Sequence, residues 1–244
     1  MRKVAFFDMD GTIGRDQQIV NFVHLLFEQG LYPLELRDNI DKTYSHWKNR
    51  TGTFSSFINA VVEVFYQNVK DQSYDKFCEL ADINAESHWK QTYNFTRKLI
   101  ENLQKVGYFL VLISHAPKFI VRPFAKKYGF NKVYGRFLEI DADRKFTGQI
   151  INDEAIADKA KIVEQVMKKY NLDFDGSVAV GDSHGDISML SSVQRPLCMN
   201  PNSKLLACAQ ERGWPMVVER KDVSFVVMSN QEELHRNLLN CILN

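Results

Sequence analysis

Lys3-Val4-Ala5-Phe6-Phe7-Asp8-Met9-Asp10-Gly11-Thr12 is the stretch that decides the fold. Four apolar residues in succession, Val4 to Phe7, are too few for a helix and too continuous for a strand with one wet face. Such a run suits a strand buried on both faces, as in a parallel sheet. It ends abruptly in two aspartates two residues apart. In extended chain, positions i and i+2 point the same way, so Asp8 and Asp10 can share one pocket. Gly11 permits a sharp turn directly after them.

Two more runs repeat the pattern. Tyr108–Ser114 ends in a hydroxyl, and Ser177–Asp182 leads into Gly181-Asp182-Ser183-His184-Gly185-Asp186. Helical spacing lies between them. Leu99, Ile100, Leu103 and Val106 share a face in Thr96–Val106, with Gly107 as a stop. Val163, Val166, Met167 and Tyr170 share a face in Ala155–Tyr170, whose early part carries Lys159. Ser203–Arg212 reads as a helix and Trp214–Val218 as a last strand. Gly135–Ile151 reads as a hairpin turning at 141–145; Asp141 and Asp143 lack the rest of a calcium loop. Strands alternating with helices predict an α/β fold.

The segment 15–93 breaks the alternation. It has no convincing buried strand, and it holds 13 of the chain's 29 aromatic residues with 8 basic and 11 acidic ones. It reads as a helical insertion closing over the sheet's carboxyl edge, its aromatics mostly filling its own core.

The 244 residues are 45% hydrophobic and 25% charged, an ordinary globular composition. A net charge of +1 gives no electrostatic footprint for nucleic acid. No apolar run approaches the roughly 18 residues a membrane span needs, and Asp8 interrupts the N-terminal run too early for a signal segment. Cys78, Cys198, Cys208 and Cys241 have neither CxxC spacing nor paired histidines, so they read as reduced thiols rather than a zinc site. The missing signals and free cysteines together predict a cytoplasmic protein. No feature of the chain specifies an oligomeric state.

Ligands of open parallel sheets sit outside the carboxyl ends of the strands. Asp8, Asp10, Asp182 and Asp186 would all converge there. At ~4 Å and an effective dielectric near 20, each pair of like charges costs about 4 kcal/mol. A divalent cation is the simplest offset, and an all-oxygen site favours Mg²⁺ over zinc. Lys159 and Ser114 are surplus to a metal; a cation and a hydroxyl beside it suit a phosphoryl group.

The set Asp8-Met9-Asp10-Gly11-Thr12, Leu112-Ile113-Ser114, Lys159 and Gly181-Asp182-Ser183-His184-Gly185-Asp186, in this order and spacing, resembles the four motifs of the haloacid dehalogenase (HAD) superfamily. The phosphoserine-phosphatase-like subfamily IB is the most similar subgroup, and Asn200–Leu205 followed by Gly213-Trp214-Pro215 also looks like it. The likeness covers roughly 1–14 and 94–220. It implies a Rossmann-like, doubly wound parallel sheet over 1–14 and 94–244, with a helical type-1 cap, 15–93, inserted after the first strand.

By the same resemblance, Asp8 matches the nucleophile that forms an aspartyl-phosphate, and Asp10 the general acid and later base. Ser114 and Lys159 match the groups that bind the transferring phosphoryl. Asp8, the Asp10 carbonyl and Asp182 match Mg²⁺ ligands, with Asp186 supporting the metal directly or through water. Thr12, Gln17, Arg50, His115 and His184 are candidate substrate contacts. The implied activity is Mg²⁺-dependent hydrolysis of a small-molecule phosphate ester. Phosphoserine phosphatase proper, or a phosphotransferase or mutase using the same aspartate, are the alternatives. The phosphoserine enzymes usually carry Ser where Gly11 stands and a cap carboxylate where Gln17 stands; a neutral amide cannot pair an ammonium as a carboxylate does. An aromatic-rich cap suits a partly apolar or aromatic organic phosphate. A phospho-receiver module, whose acceptor normally follows a later strand, and a catalytically silent scaffold are readings from other classes.

Overall fold

A computed structural model describes residues 1–151 and 156–227. Ala155, Cys241 and the end of the expected core, 228–244, lie outside them. The elements run β1 (Arg2–Phe7), α1 (Gln18–Glu28), α2 (Arg37–Lys48), α3 (Phe54–Asn68), α4 (Tyr74–His88), α5 (Asn94–Lys105), β2 (Phe109–Pro117), α6 (Lys118–Lys127), β3 (Lys132–Ile140), β4 (Phe146–Ile151), α7 (Lys159–Tyr170), β5 (Leu172–Gly181), α8 (Ile187–Ser191), β6 (Arg195–Met199), α9 (Ser203–Arg212), β7 (Met216–Arg220) and β8 (Val223–Val227). The expected helix over Ala155–Tyr170 has its main run from Lys159, because the Asp158 carboxylate caps it, accepting from the Ala160 amide at 3.1 Å.

One sheet runs in the order β4-β3-β2-β1-β5-β6-β7-β8. Its six inner strands are parallel; the two outer ones pair antiparallel with their neighbours. Both faces of β1 are covered from Val4 onward, which explains the unbroken apolar run Val4–Phe7. Ala5 and Phe7 pack with α5 and α6 residues such as Leu99 and Phe124, whereas Val4 and Phe6 pack with Ile162, Val166 and Leu190 on the other face. Helices on both faces make the α/β architecture expected from the sequence, with the 137–151 hairpin as β3 and β4.

Three features were not foreseen. β3 starts at Lys132 and pairs parallel with β2 before it enters the hairpin. β6 carries Pro196 opposite Ala179, and proline within a run argues against a strand. β8 is exposed along its whole length, so no burial pattern marks it. The expected strand Trp214–Val218 begins two residues later, at Met216.

Residues 18–88 carry the four helices α1 to α4, and a second apolar cluster, shared with α6, β3 and β4, fills their interior. Phe22, Phe65 and Phe77 meet Phe119 of α6 and Phe146 of β4 there, with ring centroids 5.4 to 6.5 Å apart. The chain leading into this layer and the chain leaving it lie side by side: Arg15 N donates to Gln91 O at 3.1 Å and Tyr93 N to Ile13 O at 3.0 Å.

Phe77→Ala should destabilise the protein by about 3–5 kcal/mol in urea denaturation, because Phe77 is buried and has ring partners from α1, α3, α6 and β4. A loss well under 2 kcal/mol would show that this cluster does not hold the layer to the sheet.

Candidate active site

Alternation continues past the end of β1. Met9 packs in the same apolar cluster as Phe7, leaving Asp8 and Asp10 on the alternate positions. The turn is closed by Ile13 N and Gly14 N, both donating to Met9 O at 2.9 Å. Gly11 sits in it at φ +88°, and a Cβ there would lie 2.3 Å from Asp182 Oδ2. Only glycine fits this backbone and this approach.

Lys159 is 0% exposed, at the first position of α7. Its ammonium donates to Asp8 Oδ1 at 2.6 Å, Asp186 Oδ1 at 2.6 Å and Ile113 O at 3.1 Å. Three protons meet three acceptors. Burial opposes its charge, but Asp186 and Asp8 outweigh that and raise its pKa. Asp186 is equally satisfied: its Oδ2 accepts from Asp182 N at 3.2 Å, Ser183 N at 3.0 Å and Ser183 Oγ at 3.1 Å. Burial works against the ionised form, but Lys159 and these donors prevail and hold Asp186 below the usual range.

Asp8, Asp182 and Asp186 each offer an oxygen within 4.8 Å of the others. Burial, with Asp186 and Asp10 nearby, pushes Asp8 up to about 7 despite Lys159. Burial also raises Asp182, whose Oδ1 accepts a 3.3 Å bond from Thr12 Oγ1 and no other among the described residues. This is an all-oxygen cluster with more negative charge than one lysine offsets, and a divalent cation fits it.

Asp10 belongs to a different neighbourhood. Its Oδ1 accepts from the backbone amide of Gln18, the first residue of α1, at 2.6 Å, and its Oδ2 faces Ser114 Oγ at 3.5 Å. Burial raises it to about 6. Ser114 is buried, and its Oγ also accepts from Ala116 N at 3.0 Å.

The other expected contacts separate. His115 lies against Gly185 and exerts a charge on Asp186. His184 is exposed, 3.3 Å from the Asn202 amide. Gln17 lines a cavity between α1, α2 and α3, but Arg50 does not: it is exposed, just past α2, at φ 61°. Sequence reasoning missed the aromatic wall of that cavity, Tyr44, Trp47 and Phe54, whose only signal was aromatic density.

The sequence profile of haloacid dehalogenase-like hydrolases matches residues 5–191. The chain belongs to this family. It is a HAD-type phosphatase, phosphoserine-phosphatase-like in fold. A relative from Neisseria meningitidis serogroup C, a histidinol-phosphatase, is 23% identical over 89% of this chain and 99% of its own length. Phosphoserine phosphatase SerB1 of Mycobacterium tuberculosis is 24% identical over 86% of this chain and 68% of its own length. Among solved structures, a Bordetella pertussis Tohama I protein of unknown function superposes with a TM-score of 0.70 at 20% identity, covering 88% of this chain and 98% of that one. A phosphoserine phosphatase, solved as a phospho-aspartyl intermediate analogue, superposes with a TM-score of 0.60 at 20% identity, covering 99% of both chains. No helix among the described residues of this HAD chain is long and apolar enough to cross a membrane.

Lys159→Met removes a partner from two buried carboxylates at once. It should destabilise the fold by about 3–5 kcal/mol when unfolding is followed in EDTA. An unchanged midpoint would show that the buried cation has no structural role.

Proposed function

We propose that this HAD enzyme hydrolyses small-molecule phosphomonoesters through an aspartyl-phosphate on Asp8, with Mg²⁺ as its metal. The observation that carries the reading is the arrangement around Asp8. Lys159 holds one carboxylate oxygen at 2.6 Å, and among the described residues no hydrogen-bond donor engages the other.

In this reading the free oxygen of Asp8 attacks phosphorus, and the bond from phosphorus to the ester oxygen breaks. Asp10 gives its proton to the departing alkoxide; burial raising it to about 6 suits an acid that must also be regenerated near neutrality. Asp10, now a carboxylate, then takes a proton from water as that water attacks phosphorus. The bond from phosphorus to Asp8 breaks, inorganic phosphate leaves, and both aspartates return to their starting states. Ser114 and Lys159 bind the transferring phosphoryl and balance its charge. Asp8, Asp182 and the Asp10 carbonyl would hold Mg²⁺, which when bound supplies Lewis-acid neutralisation of phosphoryl charge. Asp186, engaged by four donors, fixes Lys159 and the 182–183 backbone and supports the metal directly or through water.

The segment 15–93 is the cap of this reading and 1–14 with 94–244 its catalytic core. Support comes from the succession of helices α1 to α4 and from the paired chain segments at 13–15 and 91–93. A cytoplasmic enzyme accords with the free thiols of Cys78, Cys198 and Cys208. Hydrolysis of phosphoserine itself is the second reading. The fold likeness favours it, while Gln17 at the cavity wall speaks against it.

Asp8→Asn should abolish phosphate release from p-nitrophenyl phosphate, by at least about 10³-fold, while Tm stays within a few degrees of wild type. EDTA should stop the wild type and Mg²⁺ restore it. Full turnover by Asp8→Asn would remove the nucleophile assignment; turnover unmoved by EDTA would remove the metal.

A further inference from the structure

The three cap helices α1, α2 and α3 enclose a cavity of about 510 Å³. It begins at Arg15–Gln17, immediately after Gly14, whose backbone bridges to Asp10. The next residue, Gln18, donates its backbone amide to Asp10 at 2.6 Å, so the chain that opens the cavity is tied to the acid proposed to protonate a leaving oxygen. A space of this size accommodates a ligand well beyond a three-carbon amino acid, since pockets of roughly 300–1,000 Å³ take drug-sized molecules.

Its walls differ in chemistry. α1 presents Gln17, Asn21 and His24, spaced i, i+4 and i+7 on one stripe, while Phe22, Val23 and Leu26 of the same helix go into the cap core. Asn21 Nδ2 has no hydrogen-bond partner among the described residues. The facing wall is aromatic. Tyr44 and Phe54 are each 41% exposed, and Trp47 and Phe57 lie parallel, 6.0 Å apart with an interplanar angle of 2°. Large rings left in water on the rim of a cavity mark a binding surface.

The charged side chains narrow the choice of ligand. Arg37 pairs with Asp41 at 3.8 Å and lies 5.7 Å from the Phe27 ring. Lys48 lies 5.7 Å from the Tyr44 ring and 5.6 Å from the Trp47 ring, and Arg15 lies 5.8 Å from the Tyr93 ring. Each cation is engaged and two carboxylates stand among them, which argues against a second phosphate. An acyl chain would fit the aromatic wall but would strip water from Gln17, Asn21 and His24 without offering them hydrogen bonds. A flat ring with heteroatoms at its edge satisfies both walls.

We propose that the substrate is a phosphomonoester whose alcohol carries a planar, hydrogen-bonding heterocycle. The ring rests on Tyr44, Trp47 and Phe54, and its heteroatoms meet the Gln17, Asn21 and His24 stripe. This rests on the phosphatase reading for the fate of the phosphoryl group, and on the cavity alone for the shape of the rest.

The test compares five esters: an imidazole-bearing alkyl phosphate, a nucleoside 5′-monophosphate, phosphoserine, glycerol 3-phosphate and lysophosphatidate. At least one ring ester should exceed phosphoserine and glycerol 3-phosphate in kcat/KM by about tenfold or more, a ratio that one aromatic contact supplies. Trp47→Ala should lower that ratio by about tenfold, through kcat as well as KM, and Trp47→Phe should keep it within about threefold. Calorimetry on Asp8→Asn, which needs no turnover, should show the ring ester binding at least about tenfold tighter than phosphoserine. Tight ring binding without turnover by the wild type would uphold the pocket and defeat the phosphatase reading. Turnover with a ring-to-aliphatic ratio near one, a best rate on lysophosphatidate, or a ratio untouched by Trp47→Ala would overturn the proposal while the phosphatase reading stands.

Discussion

A lysine with no exposed surface holds the catalytic end of the sheet together. An ammonium removed from water is costly, and its place at a helix N-terminus, the positive end of the dipole, adds to the cost. Lys159 meets that cost with acceptors from three separate segments: Asp8 after β1, the Ile113 carbonyl in β2, and Asp186 after β5. None of the three can move far without leaving a buried charge unpaired. The same contacts that stabilise the lysine therefore set the distance between the first strand and the 182–186 loop. The site's geometry is a condition of the fold and not a decoration on it.

The same electrostatics divide the three clustered acids. Asp186 is saturated by donors and held low; Asp8 and Asp182 are under-compensated and pushed up. Gly11 lets these last two share space, because any side chain at its position would collide with the Asp182 carboxylate. Charge that the protein itself does not neutralise makes this cluster one that a divalent cation fits.

Much of this was legible in the sequence because it is local. A four-residue apolar run, two aspartates at i and i+2 and a glycine lie within ten positions, and each strand end carries its own reactive group. The partners of these groups were not legible, since they are remote. Nothing near Glu219 announces that its carboxylate caps α5 by accepting from Asn94 N and Phe95 N, about 125 positions away. β6 was hidden by Pro196, and β8 by the absence of any buried face. Aromatic density in 15–93 was visible, but density does not separate Phe22 and Phe77, which fill the interior, from Tyr44 and Phe54, which stay in water. That division depends on which stripe of each helix faces inward, and only packing fixes it.

Asp10 links that division to the chemistry. One of its oxygens is held by the backbone amide that opens α1, and the other faces a hydroxyl of β2. Asp10 thus sits where the helical segment meets the sheet, held from both sides. In the proposed mechanism, a substrate that fills the space between α1 and α2 would hold α1 in the arrangement that keeps the Gln18 amide on Asp10. Binding energy gained far from phosphorus is then spent on aligning the proton donor. Specificity in such a design appears in the rate of the chemical step as well as in affinity, because a ligand too small to touch α2 leaves the orientation of Asp10 unsupported from the cap side.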